Sequence, residues 1–182
     1  MRVTMMACWL ALSLGYANLA HAAPSRIDSM YTSLADTACK TLESSEEGGG
    51  SYKGRCPGVA GYQLNLLEGD LRQSLTVIDP QGKEFPLEFW SVVTSGFSTV
   101  GQKAEWRMKK EGSKTVPIAL IVRVNASEDP EKPEKNTSYL VVTKLTANAV
   151  CVTDVVKPSS TANHEARILA DKSATVACKA TP

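Results

Sequence analysis

Two glutamates of this chain stand close to tryptophans in the sequence, and their carboxyl groups could act in catalysis. Glu88 stands two positions before Trp90, and Glu105 directly precedes Trp106. Two carboxyl groups at a fixed separation, one with a pKa raised by apolar surroundings, can hydrolyse glycosidic bonds. A carbohydrate cleft containing Glu88, Trp90, Glu105 and Arg107 is therefore one interpretation. Because any half-buried strand alternates in this way, we favour a structural role, with Glu105 and Arg107 in a weak surface ion pair.

The other catalytic motifs are incomplete. His164 is the only histidine outside the first 22 residues, and any Ser/His/Asp or Cys/His mechanism would need it. The segment Gly96-Phe97-Ser98-Thr99 approaches the nucleophile elbow G-x-S-x-G, but its second glycine comes one place late, at Gly101. No phosphate loop, dinucleotide fingerprint or metalloprotease helix occurs in the sequence. We therefore predict a protein that is not an enzyme, with no catalytic residue, cofactor or metal.

Residues 1–22 predict a cleaved export signal. Arg2 gives a positive start, an apolar run follows from Met5 to Leu14, and Ala20-His21-Ala22 is a small-x-small cleavage site. The apolar run falls short of the roughly 20 residues that a membrane-spanning helix needs. We expect a soluble protein of residues 23–182, periplasmic or secreted, with no membrane span.

The cysteines predict a disulfide-bonded domain. Cys8 belongs to the signal, which leaves Cys39, Cys56, Cys151 and Cys178, an even number in an oxidising compartment. Four cysteines allow three pairings. We favour Cys39 with Cys56 and Cys151 with Cys178, because each bond closes a short loop at one end of the chain. A zinc site is the alternative, but the chain lacks the C-x2-C pair typical of such sites.

Length and charge limit the number of domains and the kinds of partner. The 160 residues after the signal are enough for one domain with its own core. Without Arg2 the chain has 19 basic and 19 acidic residues, so its formal net charge is zero. A neutral chain without a basic stripe gives no reason to expect nucleic-acid binding.

Alternation of apolar and polar residues predicts about seven strands after Tyr62. They span residues 62–66, 71–77, 87–93, 103–109, 116–124, 139–145 and 150–156. In the fourth strand Ala104, Trp106 and Met108 face one way, and the charged face with Glu105 should be wet. Strands in simple succession predict a mainly β protein, an antiparallel sandwich or barrel.

One helix is predicted at the C-terminal end, from Ala162 to Asp171, where Ser160 or Thr161 could cap it. Its narrow apolar stripe should dock on the sheet. Residues 28–42 fit either a helix or an extended arm, and this choice stays open. Residues 44–51 and 128–135 have the composition of loops.

Several short motifs together resemble a known group of proteins. They are Cys39-Lys-Thr-Leu-Glu43, Tyr52-Lys-Gly-Arg-Cys-Pro-Gly58 with Gly61-Tyr62, Glu68-Gly-Asp-Leu-Arg72, Glu105-Trp-Arg107 and Val141-Val-Thr-Lys144. In these motifs the chain resembles a family of small, uncharacterised exported proteins of Gram-negative bacteria. The resemblance implies the periplasm and brings no function with it.

The leading functional hypothesis is a non-catalytic periplasmic binding or inhibitory module, whose loops contact a protein or an envelope component. The nearest analogy of class is the periplasmic lysozyme inhibitors, which are also small exported β proteins. One alternative is an enzyme that acts on envelope carbohydrate through the carboxylate pair Glu88 and Glu105. Another is a structural or stress-related envelope protein without a discrete ligand.

Overall fold

The computed structural model describes residues 26–129, 131–132 and 134–180. The predicted export signal lies outside these described residues. Within them the chain forms ten strands and two α-helices, as follows: β1 Ile27–Ser33, β2 Lys40–Ser45, β3 Ser51–Pro57, β4 Gln63–Gly69, β5 Arg72–Ile78, β6 Glu84–Pro86, α1 Phe89–Val92, β7 Phe97–Glu111, β8 Lys114–Ser127, β9 Asn136–Leu145, β10 Val150–Val156 and α2 Ala162–Lys172.

The strands belong to one open sheet. Its order is β10-β9-β8-β7-β5-β4-β3-β2, with β1 paired to β7 and β6 to β5. Neighbours are antiparallel except β5 and β7, which meet in parallel at a single pair, Arg72 and Ser98. Two antiparallel meanders are therefore joined at one point. The mainly β prediction is confirmed, but the sheet is not a closed barrel, and ten strands replace the predicted seven.

Three differences account for the strand count: three strands are gained before Tyr62, the short strand β6 is gained at Glu84–Pro86, and the predicted strand at residues 87–93 is lost. The segment left open at residues 28–42, together with the residues up to 57, supplies β1 to β3. All six residues of β2 are exposed, so this edge strand has no buried face to produce an alternating pattern. The predicted strand at residues 87–93 is wrong: the Phe89 amide donates to Ser74 Oγ at 3.0 Å, and the chain turns into α1.

One hydrophobic core joins the two meanders. Trp106 of β7 is fully buried, and its Nε1 donates to Thr32 Oγ1 of β1 at 2.9 Å. The cluster around it takes side chains from both halves of the sheet, including Leu64 and Leu75 from one half and Val122 and Val141 from the other. The inner faces of the meanders therefore pack against each other.

Helix α2 covers the opposite face of β8 and β9. Its buried residues Ala162, Ala166 and Ala170 pack in a second cluster with Ile121 and Val142. Small side chains at helical spacing let the helix approach the sheet closely. The predicted helix and its docking are confirmed, although the Thr161 side chain makes no capping hydrogen bond.

The disulfides fix both ends of the described chain. Cys39 bonds Cys56, and Cys151 bonds Cys178, as favoured from the sequence. The Lys179 amide also donates to the Val152 carbonyl at 2.8 Å. All four thiols are thus used in bonds that fit an oxidising compartment, so the zinc alternative for these cysteines is wrong.

Candidate functional site

The charged face of β7 is covered by α2. Glu105 and Arg107 share this face, opposite the buried Ala104 and Trp106, as the alternation predicts. However, their side chains are only 12% and 9% exposed. The prediction of a wet face is therefore wrong at these two positions, because the helix lies over them.

The arginines of β7 and α2 each hold a carboxylate of the other element. Arg167 donates to both oxygens of Glu105, at 2.6 and 3.2 Å. Arg107 donates to both oxygens of Asp171, at 2.7 and 2.8 Å. Ser29 Oγ donates to Glu105 Oε1 at 2.5 Å and accepts a hydrogen bond from Arg107. We call these five residues the helix clamp, since they connect α2 to β7 and β1.

The contacts of the helix clamp favour the ionised forms of Glu105, Arg107 and Arg167. Burial raises the pKa of Glu105, but hydrogen bonds from Arg167 and Ser29 and the charges of Arg167 and Arg107 outweigh it, so this pKa lies below its usual value. The hydrogen bond to Asp171 raises the pKa of Arg107. A general acid needs a raised carboxyl pKa, which is the opposite of what the surroundings of Glu105 produce.

The lowered pKa of Glu105 predicts a pH-dependent stability. Ionised Glu105 contributes stability above the ordinary pKa of about 4.5, and the contribution is lost as the pH falls through the folded-state value. Below pH 4.5 the free energy of unfolding should therefore fall more steeply in the parent protein than in Glu105→Gln. Denaturant titrations at a series of pH values measure both curves, and parallel curves would contradict the prediction.

Glu88 and Trp90 lie elsewhere, at helix α1. Glu88 precedes α1 with a left-handed φ of 47° and is exposed, and Trp90 is 38% exposed. The hydrogen-bond partners of Glu105 are Ser29 and Arg167, and Glu88 is not among them. Glu105 lines a cavity beside α2, whereas Trp90 lines another cavity and Glu88 lines neither. The structure therefore does not place Glu88 and Glu105 in one cleft.

The two other catalytic candidates are also separate. Ser98 is buried at the start of β7, where its hydroxyl has no hydrogen-bond partner in the described part of the chain. His164 is exposed in the first turn of α2. A buried serine and an exposed histidine on the helix do not form the nucleophile and base contact that a triad requires.

A cavity of about 860 Å³ opens where β7 is bulged. Three residues of β7, Gly101 to Lys103, stand opposite the single residue Arg123 of β8, and such a bulge bends a strand. Gly101 is needed there, because a Cβ would lie 2.9 Å from the Arg123 Cβ. The cavity is bounded by β1, β5, β7, β8 and the first half of α2.

No protein-family model, curated protein or solved structure matches this chain. The assignment of a site therefore rests on the geometry of the described residues. Among these residues, no helix is long and apolar enough to cross a membrane, and no group of three or more His, Cys, Asp or Glu side chains is placed to hold a metal ion.

An exposed apolar surface at the β4–β5 turn was not predicted from the sequence. Asp70 and Leu71 form a two-residue hairpin loop, and both have positive φ, 51° and 56°. Leu71 is 56% exposed, and the neighbouring Phe97 at the start of β7 is 48% exposed. Arg72 lies over the Phe97 ring, 5.3 Å from its centre. We call Leu71, Arg72 and Phe97 the tip surface.

Acidic residues lie beside the tip surface. Glu68 lines a small cavity together with Leu71 and Phe97. Glu128, directly after β8, is exposed and begins the 128–135 connection, in which four acidic residues outnumber two lysines. Phe97 pairs with Ser127, so this connection leaves the sheet beside the tip surface. No sequence motif indicates this arrangement, since Asp-Leu is not a typical dipeptide for a turn with two positive φ angles.

Proposed function

We propose that the protein is a non-catalytic periplasmic binding module that contacts a basic protein through its tip surface. The observation that carries the proposal is the conformation of Leu71. This large apolar residue is exposed, and its backbone lies in the left-handed region. Such a conformation costs about 1–3 kcal/mol for a residue other than glycine, and strain of this kind concentrates at functional sites. Glycine or asparagine would fit the turn without that cost.

The composition of the tip surface supports a protein partner. Aromatic residues and arginine supply much of the binding energy at protein interfaces, and Phe97 and Arg72 lie in contact. Arg72 is held in place by its hydrogen bond to the Ser95 carbonyl, at 2.9 Å, and by Asp70. The surface is therefore ordered before binding, which lowers the entropic cost of association.

The charge around the tip surface supports a basic partner. Acidic side chains at the rim of an interface attract a positively charged protein and increase its association rate. The inhibitory version of the proposal names basic lysozymes as one such class of partner. The helix clamp supports a non-catalytic role, because both oxygens of Glu105 are engaged by Arg167.

The substitution Leu71→Asn tests the proposal, because asparagine tolerates a positive φ and removes the apolar side chain. We expect the variant to be as stable as the parent protein or more stable by up to about 1 kcal/mol. We also expect it no longer to bind the partner protein. The mature protein is immobilised, exposed to periplasmic extract and to a purified basic lysozyme, and the retained proteins are identified by mass spectrometry.

The matched control is Leu42→Asn, which removes a leucine of similar exposure, 42%, from edge strand β2. The parent protein and the control should retain the same basic protein, and the Leu71→Asn variant should not retain it. Equal retention by all three proteins, or retention of acidic proteins alone, would overturn the proposal.

A further inference from the structure

The β7 cavity presents hydrogen-bond donors without matching acceptors. Arg123 Nη1 donates to Ser138 Oγ at 2.8 Å, and Ser138 Oγ donates to Asn125 Oδ1 at 2.7 Å. These bonds fix the guanidinium and use the acceptor atom of Asn125. Within the described residues, the other N–H groups of Arg123 and the Asn125 amide have no hydrogen-bond acceptor, and both residues line the cavity.

The charge of Arg123 is not neutralised by an ion pair within the described residues. Of the other ionisable groups in the cavity wall, Arg167 and Glu105 pair with each other. Lys103 and Asp36 have no ion-pair partner in the described chain, and both are exposed. Arg123 is thus a half-buried cation of the cavity wall that the fold holds in place with its charge unmatched.

We propose that this cavity binds an oxyanion, the carboxylate or phosphate group of a small molecule, through Arg123 with Asn125 and Lys103. A planar guanidinium with free N–H groups matches two oxygens of such a group. Partial burial strengthens the interaction, because water screens the charge less there. The bulge at Gly101 provides the space in front of Arg123. This site shares Asn125 with the small cavity beside the tip surface, but anion binding there needs no protein partner.

Calorimetric titration of the mature protein with inorganic phosphate, citrate and glucose tests the inference. We expect saturable binding of at least one anion and none of glucose, and the tighter anion identifies the preferred group. Arg123→Gln should weaken binding roughly tenfold or more, since it removes a charge-assisted hydrogen bond. Arg123→Lys, which keeps the charge, should retain part of the affinity.

Arg55→Gln is the matched control. Arg55 also lacks an ion-pair partner in the described chain and is held by Asn65 and Gln63, at 2.6 and 2.7 Å, but it is not part of the cavity wall. Its replacement should leave anion binding unchanged, and thermal unfolding verifies that each variant is folded. Absence of saturable anion binding to the parent protein, or equal loss in the two glutamine variants, would overturn the inference.

Discussion

Glu105→Ala should lower the free energy of unfolding by about 3 kcal/mol, because it leaves the buried Arg107 and the neighbouring Arg167 without their shared carboxylate. The carboxylate of Glu105 accepts hydrogen bonds from Arg167 and Ser29, and its removal breaks the connection between α2, β7 and β1. Equilibrium denaturation of the mature protein measures the loss. Glu105→Gln keeps part of the hydrogen bonding and should give a smaller loss.

The control for this prediction is Glu43→Ala. Glu43 and Lys53 form a surface ion pair, with side chains 73% and 32% exposed, so its loss should cost less than about 1 kcal/mol. The result also bears on function, since replacing a catalytic residue often raises stability. A Glu105→Ala variant as stable as the parent protein would contradict the stabilising role of the helix clamp and would fit a functional role for Glu105.

Removing the Cys151–Cys178 disulfide by paired alanine substitutions should cost about 3–4 kcal/mol, on the loop-entropy account of a bond that closes 27 residues of separation. This bond holds the segment after α2 against β10. Two hydrogen bonds also hold that segment: Lys144 Nζ to the Val176 carbonyl, at 2.7 Å, and the Lys179 amide to Val152. Without the disulfide they should open more often.

Denaturation under non-reducing conditions measures the cost, and hydrogen exchange at the Lys179 amide reports the local opening. The Cys39–Cys56 bond spans a shorter separation of 17 residues. The variant without this bond should therefore lose slightly less stability in the same loop-entropy model. A loss below about 1 kcal/mol for the Cys151–Cys178 variant would show that the remaining contacts of the tail are sufficient, contrary to the account.

The sequence predicted those strands and helices whose apolar residues repeat at regular spacing over a short segment of the chain. The alternation around Trp106 and the alanine stripe of α2 each arise from residues that face one buried surface, and the apolar run in β8 arises because both faces of that strand are buried. The disulfide pairing followed from sequence separation. Strand β2 was missed because it is exposed along its whole length, so nothing in its sequence reports a buried face.

The candidate site depended on contacts that a sequence does not reveal. Glu105 and Arg107 were expected to share a face, but Arg167 and Asp171 are more than 60 residues away in the chain. Only the docking of α2 brings them over β7 and turns a surface pair into a buried network. Likewise, the positive φ of Leu71 follows from the two-residue β4–β5 loop. Sequence patterns did not specify the register of the two strands that this loop connects.

A photo-crosslinking residue at position 71, compared with the same residue at position 42, shows whether the tip surface contacts a basic protein in the cell. Each variant is expressed with its export signal in a Gram-negative host, irradiated and analysed by mass spectrometry. We expect a covalent adduct with a basic protein from position 71 and none from position 42, because the tip surface forms the contact. The same adducts from both positions, or none from position 71, would contradict this expectation.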